Sequence, residues 1–214
     1  MNNTQEKKCN TEKIFLTHDP RIEFFNSHAP DWDTSGPDIE DTLRKLDNFK
    51  PRLRLSEGMD VIEIGCGTGQ ITGRIADLVK PGKVLAVDFS PLMIEVARRK
   101  NISAEFKVMD ICDNVIVEHQ FDLALCFNSF PHFRDKIAAL NNMRKLLRDN
   151  GILIVLHFSG SRQLNEFHKS VGGAVAEDFL PDKSEWDNLL SITDFKLIEF
   201  EDRPDLFFLR AVGV

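Results

Sequence analysis

The stretch D-V-I-E-I-G-C-G-T-G-Q, from Asp60 to Gln70, constrains the fold of this chain more than any other. Val61, Ile62 and Ile64 form a short β-branched apolar run, the pattern of a buried strand, and Gly65, Gly67 and Gly69 follow at every second position. Lacking a Cβ, these positions let the backbone turn sharply and bring its N–H groups close to a ligand. A helix predicted over 70–79 aims its N-terminus at the same point. That is the layout of a nucleotide or nucleoside site at the edge of an α/β sheet.

The glycine spacing separates two ligands. A dinucleotide fingerprint needs glycine at position 70, where this chain has Gln70, so an NAD-dependent oxidoreductase is the weaker alternative. E-x-G-x-G-x-G, with Glu63 inside the strand, instead resembles the first motif of class I S-adenosylmethionine-dependent methyltransferases of the small-molecule type. The resemblance runs from about Asp60 to the C-terminus. It implies an α/β fold: a seven-stranded, mostly parallel Rossmann-like sheet, helices on both faces, and an antiparallel C-terminal hairpin. It also implies S-adenosylmethionine as cofactor, with Glu63 in the site and Gly65, Gly67 and Gly69 at its amino-acid end.

Two acids fit the same scheme. K-V-L-A-V-D reads as a second strand whose terminal Asp88 is placed to accept from two ribose hydroxyls, or else to cap the next helix. Phe89 and Met93 follow at the start of that helix, which Pro91 suits in its first turn, and they join the expected cofactor residues. The third strand, A-E-F-K-V-M-D, ends at Asp110. By resemblance Asp110 meets the adenine amino group and Ile111 the ring face; the plainer alternative is a turn aspartate.

The fourth strand, F-D-L-A-L-C, opens into F-N-S-F-P-H-F. In methyltransferases this loop lies beside the transferable methyl, which places Asn128 between cofactor and acceptor. The absence of D-P-P-Y or N-P-P-Y here argues against an amino-group methylase of DNA or protein. The fifth strand ends in His157, and His168 lies on the next short helix, before Gly172 and Gly173. Sequential βα units set the ends of strands four and five side by side, so His132, His157 and His168 are expected to converge on the acceptor. Three readings stand: ordinary polar residues at a crevice rim, general bases, or ligands of a divalent metal, although no H-x-x-x-H spacing occurs.

Ahead of the first strand, R-I-E-F-F-N-S-H-A-P-D-W-D-T either packs Phe24, Phe25 and Trp32 on the main domain or closes over the cofactor. It resembles an aromatic-Ala-x-x-Trp-Asp lid. An amphipathic helix is predicted over 37–49, carrying Ile39, Leu43, Leu46 and Phe49, with Pro51 and Gly58 bounding a connector. The expected division is residues 1–50 as arm, helix and possible lid, and 51–214 as the cofactor-binding domain. Residues 1–13 are polar and expected to be loose. At the other end, a helix over 183–191 precedes two strands that make the closing hairpin.

A formal charge of -7 argues against a broad phosphate-binding surface, so the expected partner is a small-molecule methyl acceptor rather than nucleic acid. The longest apolar run, Ile152 to Leu156, is strand-sized, and the N-terminus lacks the apolar core of a secretory signal. A chain with no membrane span in the cytoplasm is expected. Cys9, Cys66, Cys112 and Cys126 make no C-x-x-C pair and read as free thiols. A non-catalytic S-adenosylmethionine-binding protein is the remaining alternative. Neither the acceptor atom nor the oligomeric state has a signature in the chain.

Overall fold

In the computed structural model, which describes residues 19–113, 115 and 120–214, the β-branched run after Asp60 is a central strand buried on both faces. Cys9 and the polar residues 1–13 lie outside the described residues. Three helices precede the strand: α1 (Pro20–His28), α2 (Trp32–Ser35) after a 3-10 turn, and α3 (Ile39–Leu53). The chain then runs β1 (Val61–Ile64), α4 (Thr72–Val79), β2 (Val84–Asp88), α5 (Pro91–Arg99), β3 (Glu105–Val108) and β4 (Phe121–Phe127). It continues through α6 (Lys136–Leu146), β5 (Leu147–His157), α7 (Ser161–Val171), α8 (Lys183–Ser191), β6 (Phe195–Arg203) and β7 (Leu206–Gly213).

The sheet has seven strands in the order β3-β2-β1-β4-β5-β7-β6. From β3 through β5 neighbouring strands are parallel, while β7 is antiparallel to both β5 and β6, as the hairpin reading expects. Strand order reverses between β1 and β4, because the chain moves outward to β2 and β3 before returning. At such a point successive connections leave to opposite faces and open a crevice at the carboxyl ends of the strands.

Side chains of the central strands alternate between two cores. Ile62, Ile64, Val87, Cys126 and Phe207 pack beneath Leu140 and Met143 of α6 and Trp186 of α8. Val61, Leu123, Leu125, Ile154 and Phe208 pack beneath Leu46 and Leu53 of α3 and Ile75 and Val79 of α4. Continuous burial of β1 is what a parallel strand covered on both faces requires.

Three boundaries differ from expectation. Helix α3 continues through Pro51 and stops only at Arg54, whose φ of 57° is left-handed. Proline in a last turn forfeits one hydrogen bond, and the complete burial of Leu53 holds that turn on the core. Strand β3 ends at Val108, which leaves Asp110 in the following turn. The D-N-G at residues 149–151, a turn sequence expected to lead into the fifth strand, does not turn the chain there. It lies inside β5 as a bulge, with Asn150 left-handed, where β4 advances from Phe121 to Leu123 while β5 advances from Leu147 to Ile152. Among the described residues no helix is long and apolar enough to cross a membrane.

Candidate active site

A cavity of about 590 Å³ opens at the carboxyl ends of β1, β2, β4 and β5. Glu63, Gly65, Gly67, Asp88, Phe89 and Met93 line one side, continuing to Asp110, Ile111 and Asn128. The glycine turn there is tightly packed. Gly65 has φ +73°, and a Cβ on it would lie 2.3 Å from the Cβ of Ser129. Ser129 itself is buried and donates its hydroxyl to the Ile64 carbonyl at 2.6 Å, joining the ends of β1 and β4. Gly69 falls outside the cavity lining. Its amide donates to the Cys66 carbonyl at 2.9 Å, closing the turn, and its α-carbon faces Ile102 and Phe106. Gly69 thus closes the turn whose other glycines, Gly65 and Gly67, reach the cavity.

The carboxylates are held by backbone. Asp88 accepts from the Gly67 and Ser90 amides, both at 2.8 Å. Burial nevertheless raises its pKa to about 6, against the lowering effect of those amides. Asp110 accepts from the Cys112 amide at 2.8 Å and pairs with Arg134, which also reaches Asp113. Asn128, at the end of β4, has φ +53°, a sparsely populated conformation for a residue with a side chain, and its amide donates to Leu156. That kink starts the 3-10 turn Phe130–His132 and sets His132 at the cavity.

Glu63 is buried on β1 and accepts from the Thr72 hydroxyl at 2.6 Å. Burial carries its pKa from 4.5 to about 7, opposed by that hydroxyl and reinforced by Asp88. A carboxyl raised in this way keeps its proton in the folded protein between pH 4.5 and 7, where the unfolded chain has lost it. Its contribution to stability is full below pH 4.5 and disappears as the pH rises through 7. Glu63→Gln should therefore unfold at higher urea than wild type at pH 8, by roughly 2–3 kcal/mol, and show little gain at pH 4. Equal gains at both pH values would locate the effect elsewhere.

Opposite the glycine turn the cavity is aromatic, and besides the exposed His28, held by the Phe24 carbonyl, it carries two imidazoles that share one partner. His132 Nδ1 lies 2.7 Å from Asp178 Oδ2, and His168 Nδ1 bonds to the backbone carbonyl of the same Asp178. Both partners are pure acceptors, so each Nδ1 bears the hydrogen and each Nε2 is left as an acceptor. The two rings sit 4.9 Å apart, centroid to centroid, and both line the cavity, whereas Asp178 does not. Arg21 donates to the His132 carbonyl at 2.9 Å and approaches Asp178 Oδ1 at 3.6 Å, which offsets the carboxylate's charge. Burial lowers the pKa of His168, helped by His132 and opposed by the Asp178 carbonyl.

His157 lies near His132 and His168, as the strand order expects, but does not line the cavity with them. It is 1% exposed, absent from the cavity wall, and packed edge-on against Phe207 at 6.1 Å. Burial drives its pKa to about 3, so it is neutral, and its Nε2 has no hydrogen-bond partner. The next residues along, Phe158 and Ser159, reach the cavity instead. Among the described residues no three His, Cys, Asp or Glu side chains are grouped to hold a metal ion, so the three-histidine metal reading has no geometric basis. Cys66, Cys112 and Cys126 are free. Sequence reasoning missed Asp178, Arg21, Arg134 and Ser129, none of which belongs to a recognisable motif.

Helices α1 and α2 roof the cavity. Phe25 is buried and packs against Trp32 at 5.7 Å, Phe89 at 5.5 Å and His132 at 5.0 Å. Asn26 Oδ1 accepts from Ser90 and from the Leu92 amide. Asp33 accepts from Thr68 at 2.5 Å and Gln70 at 3.1 Å and pairs with Lys100 at 2.6 Å. The roof is thus tied to the glycine turn and to the start of α5.

Residues 55–195 match a family model described as a methyltransferase domain. Malonyl-[acyl-carrier protein] O-methyltransferase of Bacillus cytotoxicus is 29% identical over 134 residues, which are 62% of this chain and 46% of that protein. The chain spans about half the length of the curated relatives it matches. Among solved structures, an S-adenosylmethionine-dependent methyltransferase from Aquifex aeolicus superposes with a TM-score of 0.67 at 17% identity, covering 88% of this chain and 98% of that one. Magnesium protoporphyrin IX methyltransferase from Synechocystis, crystallised with bound S-adenosylmethionine, gives 0.65 at 16% identity over 91% and 96%.

Proposed function

The chain belongs to the methyltransferase-domain family, and on that premise we propose that it is an enzyme that methylates a small molecule with S-adenosylmethionine. The observation that carries the base is the 2.7 Å pair of His132 Nδ1 and Asp178 Oδ2 on the wall facing the glycine turn. S-adenosylmethionine supplies the methyl group when bound: its C–S bond breaks as the bond to the acceptor forms, and the electron pair stays on sulfur.

The residues present suit that cofactor. Gly65, packed on Ser129, and Gly67 bring the backbone of the turn to the cavity where the amino-acid end would lie, beside Glu63. Asp88, oriented by the amides of Gly67, Phe89 and Ser90, would face the ribose hydroxyls. Asp110 would face the adenine amino group with Ile111 against the ring, flanked by Phe89, Met93 and Asn128. On the other side, His132 Nε2 takes the proton of the acceptor while Asp178 steadies the imidazolium that forms. Helices α1 and α2 act as the lid, excluding water and holding the acceptor in line. The relatives named above act on malonyl-[acyl-carrier protein] and magnesium protoporphyrin IX, which agrees with a small-molecule acceptor.

Calorimetric titration with S-adenosylhomocysteine tests the premise. One equivalent should bind at pH 8 and bind more weakly at pH 5, since Asp88, with its pKa of about 6, then loses the charge that accepts from both ribose hydroxyls. No binding at either pH, or binding of NAD in its place, would remove the proposal.

A further inference from the structure

The acceptor half of the cavity has a chemistry narrower than "small molecule". We infer that it takes a neutral aromatic ring bearing two adjacent hydroxyl groups, an inference that rests on the methyltransferase reading of the same site. Three observations support it.

The first is the pair of imidazoles. Asp178 claims the Nδ1 hydrogen of His132 with its side chain and that of His168 with its backbone carbonyl, and Asp178 is itself outside the cavity lining. Each ring therefore turns its other edge, Nε2, toward the space it lines. Neither Nε2 is a buried atom lacking a partner, in contrast to that of His157. With centroids 4.9 Å apart, the two rings offer neighbouring hydrogen-bond acceptors and no donor. A ligand satisfies both by presenting two donor hydrogens, which two adjacent hydroxyl groups do while leaving one oxygen free to react.

The second is charge. The cationic side chains on the cavity wall are all engaged by carboxylates: Arg21 by Asp19 and Asp178, Lys45 by Asp41, and Arg134 by Asp110 and Asp113. An anionic acceptor would enter without an uncommitted counter-charge and would meet two unprotonated nitrogens, so carboxylates and phosphates are disfavoured.

The third is the apolar wall. Phe25, Phe133, Leu164, Phe167 and Val171 line the same cavity, and Phe167 and Val171, one turn apart on α7, are 60% and 43% exposed. Flat apolar surface is what these aromatic edges and faces accommodate best. In the resulting assignment, one hydroxyl gives its proton to His132 Nε2 as its oxygen forms the new bond to the methyl carbon. His168 Nε2 accepts from the neighbouring hydroxyl, which keeps its proton and fixes which oxygen reacts.

The test is a binding measurement on protein saturated with S-adenosylhomocysteine, titrated with catechol, phenol, guaiacol and benzoate while the imidazole resonances are followed by NMR. Catechol should bind about ten-fold more tightly than phenol or guaiacol, the gain of one further satisfied hydrogen bond, and benzoate should bind weakest. His168→Phe, which keeps ring packing but removes Nε2, should bring catechol down to the level of phenol. His168→Gln serves as a second variant if the first unfolds. Phenol binding as tightly as catechol, benzoate binding best, no probe binding, or an unchanged preference in the His168 variant would each overturn the inference. Failure of S-adenosylhomocysteine to saturate the protein would strike the methyltransferase reading itself, and is seen before any probe is added.

Discussion

His132→Ala lowers kcat by about 10²–10⁴-fold while the affinity for S-adenosylhomocysteine stays nearly unchanged. The side chain lies across the cavity from the glycine turn and shares no hydrogen bond with Asp88 or Asp110, so its loss leaves the cofactor contacts in place. Asp178→Asn should fall in the same range. A carboxamide in place of the carboxylate can present an N–H to His132 Nδ1, driving the hydrogen to Nε2, the nitrogen that has to accept. His157→Leu, by contrast, should keep its turnover, since that ring is walled off beside Phe207. Wild-type kcat in His132→Ala would mean that transfer here needs no base and proceeds by alignment alone.

Gly65→Ala should be the most destabilising single substitution at the glycine turn. Two costs add. A non-glycine residue at φ +73° meets the left-handed penalty, about 1–2 kcal/mol. The new Cβ would then stand 2.3 Å from that of Ser129, which is held by its bond to Ile64 and cannot move aside freely. Overpacking of this kind costs about 1–3 kcal/mol more. For a chain of this size the sum corresponds to a Tm lowered by roughly 10 °C, measured by calorimetry. Gly58→Ala provides the comparison: its φ of +83° carries the first cost, and nothing lies within 4 Å to supply the second. The difference between the two variants isolates the Ser129 clash, and Ser129→Gly in the Gly65→Ala background should recover part of it. Equal losses at the two glycines would show that the turn has slack at β4.

Much of this architecture was legible in the chain because it rests on local chemistry. The β-branched run Val61–Ile64, the acid Asp88 closing a second apolar run and the hairpin strands at 195–213 on either side of a short turn are each written in neighbouring residues. What sequence reading missed depends on distance. Asp178 meets His132 across 46 residues, and Arg21 reaches the His132 carbonyl across 111, so no spacing rule connects them. The burial of His157 was missed for a different reason: ending a strand beside the crevice does not say which way a side chain points, and here the following residues, Phe158 and Ser159, face the cavity. Gln70 shows the converse. Its presence counted only against a dinucleotide fingerprint, yet it donates to Asp33 and fastens the roof to the turn.

The roof also lies outside the matched family region, which begins at residue 55. Phe24, Phe25 and Trp32 belong to α1 and α2, whereas the glycine turn, Asp88 and Asp110 belong to the segment shared with the family. On the proposed reading, the lid sits on a separate stretch of chain from the groups that meet donor and acceptor, since His132, His168 and Asp178 lie in the matched segment. Exchange of the first two helices between relatives, with Asp33 kept to grip Thr68, Gln70 and Lys100, would change how the cavity closes and leave the base and the cofactor contacts in place. Selection can thus retune access to such a site by editing a few turns of helix, while the sheet beneath stays untouched.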